Sequence, residues 1–146
     1  MESLFVLILI LLVAHIIWRV WPDDADLWHV DPADREMSRR AEVRLIGLEA
    51  PRFPVDAETL LTTMMEIAHN EPRTWVLDGS VDEGMVTFTH RTLLGFRDYT
   101  TLKAVDEVGA AKLSVLARPR INGHDWGATK KRMDRWLLEA EQTLNR

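Results

Sequence analysis

The sequence predicts a membrane-anchored α+β protein: a single N-terminal transmembrane helix, then a curled antiparallel sheet of about five strands covered by two helices. Three observations lead there. A strongly apolar stretch occupies Leu4 to Val20, its uncharged part ending at Trp18. Short runs of alternating apolar and polar residues, separated by Gly-containing turns, fill much of the second half. Apolar stripes at helical spacing precede and follow those runs. The order is strand, helix, four strands, helix, and two amphipathic helices can cover one face of such a sheet. The boundaries expected are 1–21 for the anchor, 22–40 for a linker and 41–146 for the α+β domain.

In the first element the uncharged part, Ser3 to Trp18, is near the short end of the roughly 17–25 residues that a spanning helix needs. Arg19 can snorkel, and Trp18 and Trp21 can sit at headgroup level, which stretches the span to Trp21. A cleaved signal peptide would want a basic start and a small-residue cleavage site, but Glu2 stands at the start and no good site follows. A surface-lying or core helix would show a polar face, which this run lacks. An uncleaved single-pass anchor is therefore expected. His15 lies within it; an intramembrane ionisable residue is a functional candidate, and the plainer reading is a neutral histidine bonded to a neighbouring helix or reaching toward the interface.

Orientation follows from few charges. Arg19, Arg35, Arg39 and Arg40 lie after the run and no Lys or Arg before it, which by the positive-inside rule puts the domain in the cytoplasm. The linker is acidic at first, with Asp23, Asp24 and Asp26, and carries Pro22 and Pro32 without an amphipathic period. A short helical turn is expected after Asp31-Pro32. Fully extended, such a linker reaches about 65 Å at ~3.4 Å per residue, so the domain could float or dock. Trp28 argues for docking, because a floating linker gains nothing from an exposed Trp.

In the domain, Glu42 to Leu48 reads as a strand, and Pro51 and Pro54 then break the chain. Asp56 caps a helix whose apolar residues Leu60, Leu61, Met64, Ile67 and Ala68 run until Asn70 and Pro72. Strand-like runs follow at Trp75–Leu77, ended by Asp78-Gly79-Ser80, and at Met85–Thr92, Asp98–Val105 and Ala111–Ala117. Gly84 and Gly109 suit hairpin turns. His90 falls on the apolar face of its strand, as a bonded core histidine would. The last helix is expected from an Asp125 cap to about Leu144, with Trp126, Met133, Trp136, Leu137, Ala140 and Leu144 on one stripe. Lys130, Lys131, Arg132 and Arg135 lie in its first half, against the macrodipole, which points to an anionic partner or to a solvated charged face.

Composition narrows the chemistry. The chain has 146 residues, no Cys and a net charge of −5. Thiol catalysis and cysteine-ligated metals are excluded, and no basic field would draw it onto nucleic acid. The histidines show no metal-binding spacing, and no nucleophile elbow or phosphate-binding glycine loop is present. No cofactor is implied. The densest polar cluster is Arg118 to Arg132. As an enzyme it would use Asp98 or Asp125 beside His124, with Arg120 holding an anion. As structure, Asp125 would cap the helix while Arg120 and Arg132 pair with Asp98 or Asp125.

The segment Arg91-Thr-Leu-Leu-Gly-Phe-Arg-Asp98, then Arg120-Ile-Asn-Gly-His-Asp125-Trp-Gly127 and Arg132, resembles the DUF1499 family of bacterial and plastid proteins, whose function is unknown. Trp28-His-Val-Asp-Pro32 resembles the segment after the anchor in alphaproteobacterial members, so the likeness runs from about Trp28 to the end. Arg91, Gly95, Phe96, Asp98, Arg120, Asp125, Gly127 and Arg132 match the family pattern. Pro119, Asn122 and Thr129 depart from it, standing where Ser, Gly and Asn are usual. The resemblance implies an envelope-facing domain, against the literal charge rule, and the departures favour a scaffolding role. The function expected is a non-enzymatic accessory subunit or assembly partner of an integral membrane complex in the bacterial inner membrane, leaning to a periplasmic domain. The polar corner (Arg91, Asp98, Arg120, Asp125, Arg132) and the docking residues His15, Trp18, Trp21 and Trp28 are the candidate sites. The alternative is a domain that binds a small apolar or anionic ligand such as lipid between sheet and helix. A hydrolase-type enzyme is the third reading.

Overall fold

Helix α1, Glu2–Val20, is long and apolar enough to cross a membrane by length and composition. Its 19 residues rise about 28 Å at ~1.5 Å each, close to the ~30 Å of a bilayer's hydrocarbon core. Residues 1–17 are all exposed, so the helix projects away from the rest of the chain. The computed structural model describes residues 1–34, 42–121 and 125–145. The later part of the expected linker, and Asn122 and His124, lie outside the described residues.

The remaining elements are α2 (Ala25–Trp28), β1 (Val43–Leu45), β2 (Arg52–Phe53), α3 (Ala57–Asn70), β3 (Thr74–Ser80), β4 (Met85–Arg91), β5 (Arg97–Glu107), β6 (Ala110–Pro119) and α4 (Ala128–Leu144). The sheet is open and antiparallel, in the order β1-β6-β5-β4-β3, with β2 also paired to β6. It thus has six strands rather than about five. The extra one, β2, is two residues between Pro51 and Pro54; proline lacks a ladder donor and is tolerated at such an edge. The Asp78-Gly79-Ser80 stretch, expected as a turn, continues β3 through a bulge between Val76 and Asp78. Gly79 sits there at φ +86, where an added Cβ would collide with the Met85 carbonyl oxygen. Only glycine fits this crossing.

Asp56 caps α3 as its position predicts, its carboxylate accepting from the Thr59 N–H at 2.7 Å. Helices α3 and α4 cover one face of the sheet. Leu60, Leu61, Met64 and Ile67 of α3, with Met133, Trp136 and Ala140 of α4, bury against Val86, Phe88, Leu102, Leu113 and Val115. Trp136 meets Phe88 edge to face, centroids 6.0 Å apart.

The other face is covered too, and this departs from the two-layer expectation. Its alternate residues Thr87, Thr89, Tyr99, Thr101, Leu116 and Arg118 are all buried. The cover is the segment from Pro22 to Pro32, the early part of the expected linker, which lies across the sheet as a strap. Its helical turn comes at Ala25–Trp28, capped by Asp24; at Asp31-Pro32 the chain makes a further turn, with the Asp31 carboxylate accepting from the Ala33 N–H at 2.9 Å.

Candidate functional site

Strand β5 opens Arg97-Asp98-Tyr99-Thr100-Thr101-Leu102-Lys103, and side chains alternate across a strand. Asp98 and Leu102 therefore meet the helices, while Arg97, Tyr99, Thr101 and Lys103 meet the strap. At the head of the strap is Asp23. One carboxylate oxygen accepts from Arg97 Nη1 at 2.5 Å, Tyr99 Oη at 2.6 Å and Arg120 Nη1 at 3.3 Å. The other accepts from Thr89 Oγ1 at 3.4 Å. Burial of a carboxylate is costly unless it is paired and hydrogen-bonded, and this one is both.

Arg97 does a second thing. Its Nη2 donates to the Arg19 carbonyl at 2.6 Å, and its Nη1 to the Trp21 carbonyl. Those are carbonyls of the last turn of α1 and the residue just past it, the negative end of the helix, left without intrahelical donors. A guanidinium from the sheet thus caps the apolar helix. Arg120 lies over the Trp18 ring, 5.3 Å from its centroid, and donates to the Pro22 carbonyl at 3.3 Å. Arg19 in turn donates to the Leu93 carbonyl at 3.4 Å.

Further along, Trp28 is 3 % exposed. Its ring stacks on Tyr99 with centroids 3.9 Å apart and 16° between planes, and Arg118 lies 4.8 Å from its centroid. The Trp28 carbonyl accepts from Arg118 Nη2 at 3.1 Å and Thr101 Oγ1 at 3.3 Å. His29 Nδ1 lies 2.8 Å from Thr87 Oγ1, which is itself 2.8 Å from Thr101 Oγ1. Lys103 pairs with Asp31, and Arg44 Nε donates to the Pro32 carbonyl at 3.0 Å. Burial pushes the Tyr99 phenol up, as does its hydrogen bond to Asp23, so it remains a donor at any ordinary pH.

The sheet divides the polar corner that the sequence predicts. Asp98 and Arg132 form a buried pair on the helix side. Asp125 accepts from the Gly127 and Thr129 N–H groups, both at 2.9 Å, and so closes the turn before α4. That helix begins at Ala128, not directly after Asp125, and Trp126 is exposed at φ +56 rather than on the apolar stripe. Arg120 does not join them; its acidic partner is Asp23, on the other face. Arg91 lies over Trp75, 5.2 Å from the ring centroid. Three of the four cations of α4 find protein acids: Arg132 finds Asp98, Arg135 finds Glu71 and Lys130 finds Asp134. Among the docking candidates, His15 and Trp21 are exposed, Trp18 lies under Arg120, and Trp28 is inside its own domain.

Asp23, Arg97, Tyr99 and Arg118 are not among the candidate site residues that the sequence offers. A signal exists: both parities of β5 carry groups that need partners, and Tyr99 is the chain's one tyrosine. A strand solvated on one face has no use for buried Thr, Tyr and Arg there.

A buried and a half-buried titratable group face each other across β4 and β5, where Asp98 pairs with His90. Burial pushes the Asp98 carboxyl up to about 6 against the pull of Arg132. Burial, with Arg132 nearby, pushes His90 down to about 4. The folded state takes up the Asp98 proton more readily than the unfolded chain, so acidification strengthens folding through Asp98. It resists protonating His90, so the same acidification weakens folding through His90. Between pH 7 and about 5 the two oppose each other. His90→Asn removes one of them, and its urea midpoint should rise, relative to the parent protein's, as pH falls through that window. A midpoint that moves with pH as the parent's does would show that His90 carries no such linkage.

Among the described residues no group of three or more His, Asp or Glu could hold a metal ion. An open cleft of about 490 Å³ lies between α3 and β3, lined by Thr62, Met65, His69, Trp75, Val76 and Phe88 among others. Arg120 does not line it. No family model, curated protein or solved structure matches this chain. The likeness to the DUF1499 family therefore rests on the motifs quoted above.

Proposed function

We propose that this chain is a membrane-anchored accessory subunit, a non-catalytic brace that presents its α+β domain to an integral membrane complex in one fixed pose. The observation that carries the reading is the Asp23 knot. Through it the end of α1, the strap and the sheet become one hydrogen-bonded unit, so the domain does not hang on a tether. The two acids that an enzyme reading would use are both engaged, Asp98 by Arg132 and Asp125 by backbone N–H groups. In this reading α1 is an uncleaved anchor in a bacterial inner membrane. The domain's use of Trp18 and of the Arg19 carbonyl supports retention, because cleavage after the span would remove both. The periplasmic side follows from the family resemblance.

Purification from native membranes in mild detergent, through a C-terminal tag, tests this. The expected result is a set of membrane subunits retained in fixed ratio, released by substitutions at the exposed His15 and Trp21. Trp28→Ala would act through the fold, since Trp28 is buried. Recovery of the chain alone, carrying extractable lipid, would contradict the reading and turn attention to the cleft between α3 and β3. That cleft, lined by Trp75, Val76 and Phe88, is what favours the second reading, a binder of a small apolar ligand.

A further inference from the structure

Among the apolar side chains that the fold leaves bare, one group lies together at one end of the sheet. The loop from β4 to β5 presents Leu93 at 77 % exposure, Leu94 at 67 % and Phe96 at 50 %, and just past β6 Ile121 is 49 % exposed. Asp98 pairs with Pro119, so the β4–β5 loop and the exit of β6 are neighbours. Thr92 and Phe96 close the loop tightly: the Thr92 N–H donates to the Phe96 carbonyl at 2.8 Å, and the Gly95 N–H to the Thr92 carbonyl at 3.0 Å. Its apolar residues are thus held outward by a hydrogen-bonded turn and do not fold back on the core.

This is also the end from which α1 leaves. Arg19 reaches the Leu93 carbonyl, and an added Cβ at Gly95 would meet Arg19 Nη1 at 3.3 Å, so loop and helix end are in contact. Val20 and Trp21 are exposed beside it. At the far end of the sheet the exposed apolar residues are fewer: Leu48 on one turn, and Val105 and Val108 at the β5–β6 hairpin. Scattered single residues need no explanation, whereas a contiguous group does.

We propose that the β4–β5 loop is a second membrane contact: Leu93, Leu94 and Phe96, with Ile121, enter the interfacial region of the bilayer that α1 crosses. The occupant is lipid because the loop is tied to the point where the span ends, where Trp18 and Trp21 are suited to the headgroup level. Aromatic and leucine side chains at that depth gain from leaving water, and each adds to the fixed pose of the domain. The proposal rests on reading α1 as a membrane span, and its test separates the two.

The chain has no cysteine, so single Cys variants take one environment-sensitive dye each. Ile10→Cys, Leu94→Cys, Phe96→Cys and Val108→Cys are prepared in the full chain and reconstituted into phosphatidylcholine–phosphatidylglycerol vesicles. Quenching is read with nitroxide lipids labelled near the headgroup or near the chain end, and with aqueous iodide. The expected result is loss of signal at position 10 to the deep nitroxide, and loss of signal at positions 94 and 96 to the shallow one, with blue-shifted emission and protection from iodide. The dye at position 108 should respond to iodide alone. These four side chains are exposed, so substitution does not touch the core. If the dye replacing Ile10 is quenched from the deep position while those replacing Leu94 and Phe96 behave like the one at Val108, the loop proposal is overturned and the span stands. If the dye replacing Ile10 is itself open to iodide, the span reading falls and the proposal falls with it.

Discussion

Trp28→Ala will strip the strap from the sheet and lower the unfolding free energy of the domain by about 3–5 kcal/mol, the usual cost of truncating a buried Trp. The magnitude follows from what the ring touches. It fills the space between Tyr99 and Arg118, and its backbone carbonyl takes donors from Arg118 and Thr101. Without the ring, Arg118 and the threonine face lose their cover and must draw in water or rearrange. Denaturant unfolding in detergent gives the energy, and hydrogen exchange across residues 22–34 gives the location. Trp28→Phe keeps a stacking partner for Tyr99 and should retain most of the stability. A loss below about 1 kcal/mol, within reach of an ordinary surface change, would show that the ring contributes little to holding the strap down.

The second large effect is at the Asp98–Arg132 pair, both side chains of which are nearly excluded from water. Removing one partner of a buried pair costs about 3–5 kcal/mol because the other is left charged and unpaired. Here the two deletions should be unequal. Asp98→Ala strands a guanidinium that cannot shed its proton. Arg132→Met strands a carboxyl that burial already pushes up to about 6, and which can escape by protonation. Asp98→Ala is therefore the costlier, and adding Arg132→Met to it should restore much of the loss. Urea midpoints of the parent, the single variants and the double variant at neutral pH decide this. Equal single losses with no recovery in the double variant would mean that packing, and not charge, governs the corner.

The elements legible in the sequence are those written locally. Asp56 and Pro72 bracket α3, and its apolar spacing puts Leu60, Leu61 and Met64 in the core, as found. Alternation places β4 and β6, and a Tyr- and Thr-rich run places β5, to within a few residues. What escaped depends on partners far along the chain. Asp23 meets Arg97 and Arg120 across 74 and 97 positions, and no local period announces such a pairing. The acidic stretch Asp23-Asp24-Asp26 reads alone as an irregular linker, and Trp28 argues that it docks; what it docks against, the sheet face that carries Arg97, Arg118 and Arg120, is not written locally. The polar corner was legible in composition but not in geometry. Asp98 and Arg132 meet as expected, whereas Arg120, next to the end of β6, points to the opposite face.

The central claim, that anchor and domain form one rigid unit through Asp23 and Arg97, is tested most directly by a distance distribution. Spin labels at Leu7→Cys in α1 and Val108→Cys at the far turn of the sheet, in the otherwise cysteine-free chain, are measured by double electron–electron resonance in lipid nanodiscs. A single narrow distance is predicted, broadening in an Arg97→Ala background. A broad distribution in the Arg97-containing chain, of the kind a flexible linker allows, would contradict the account.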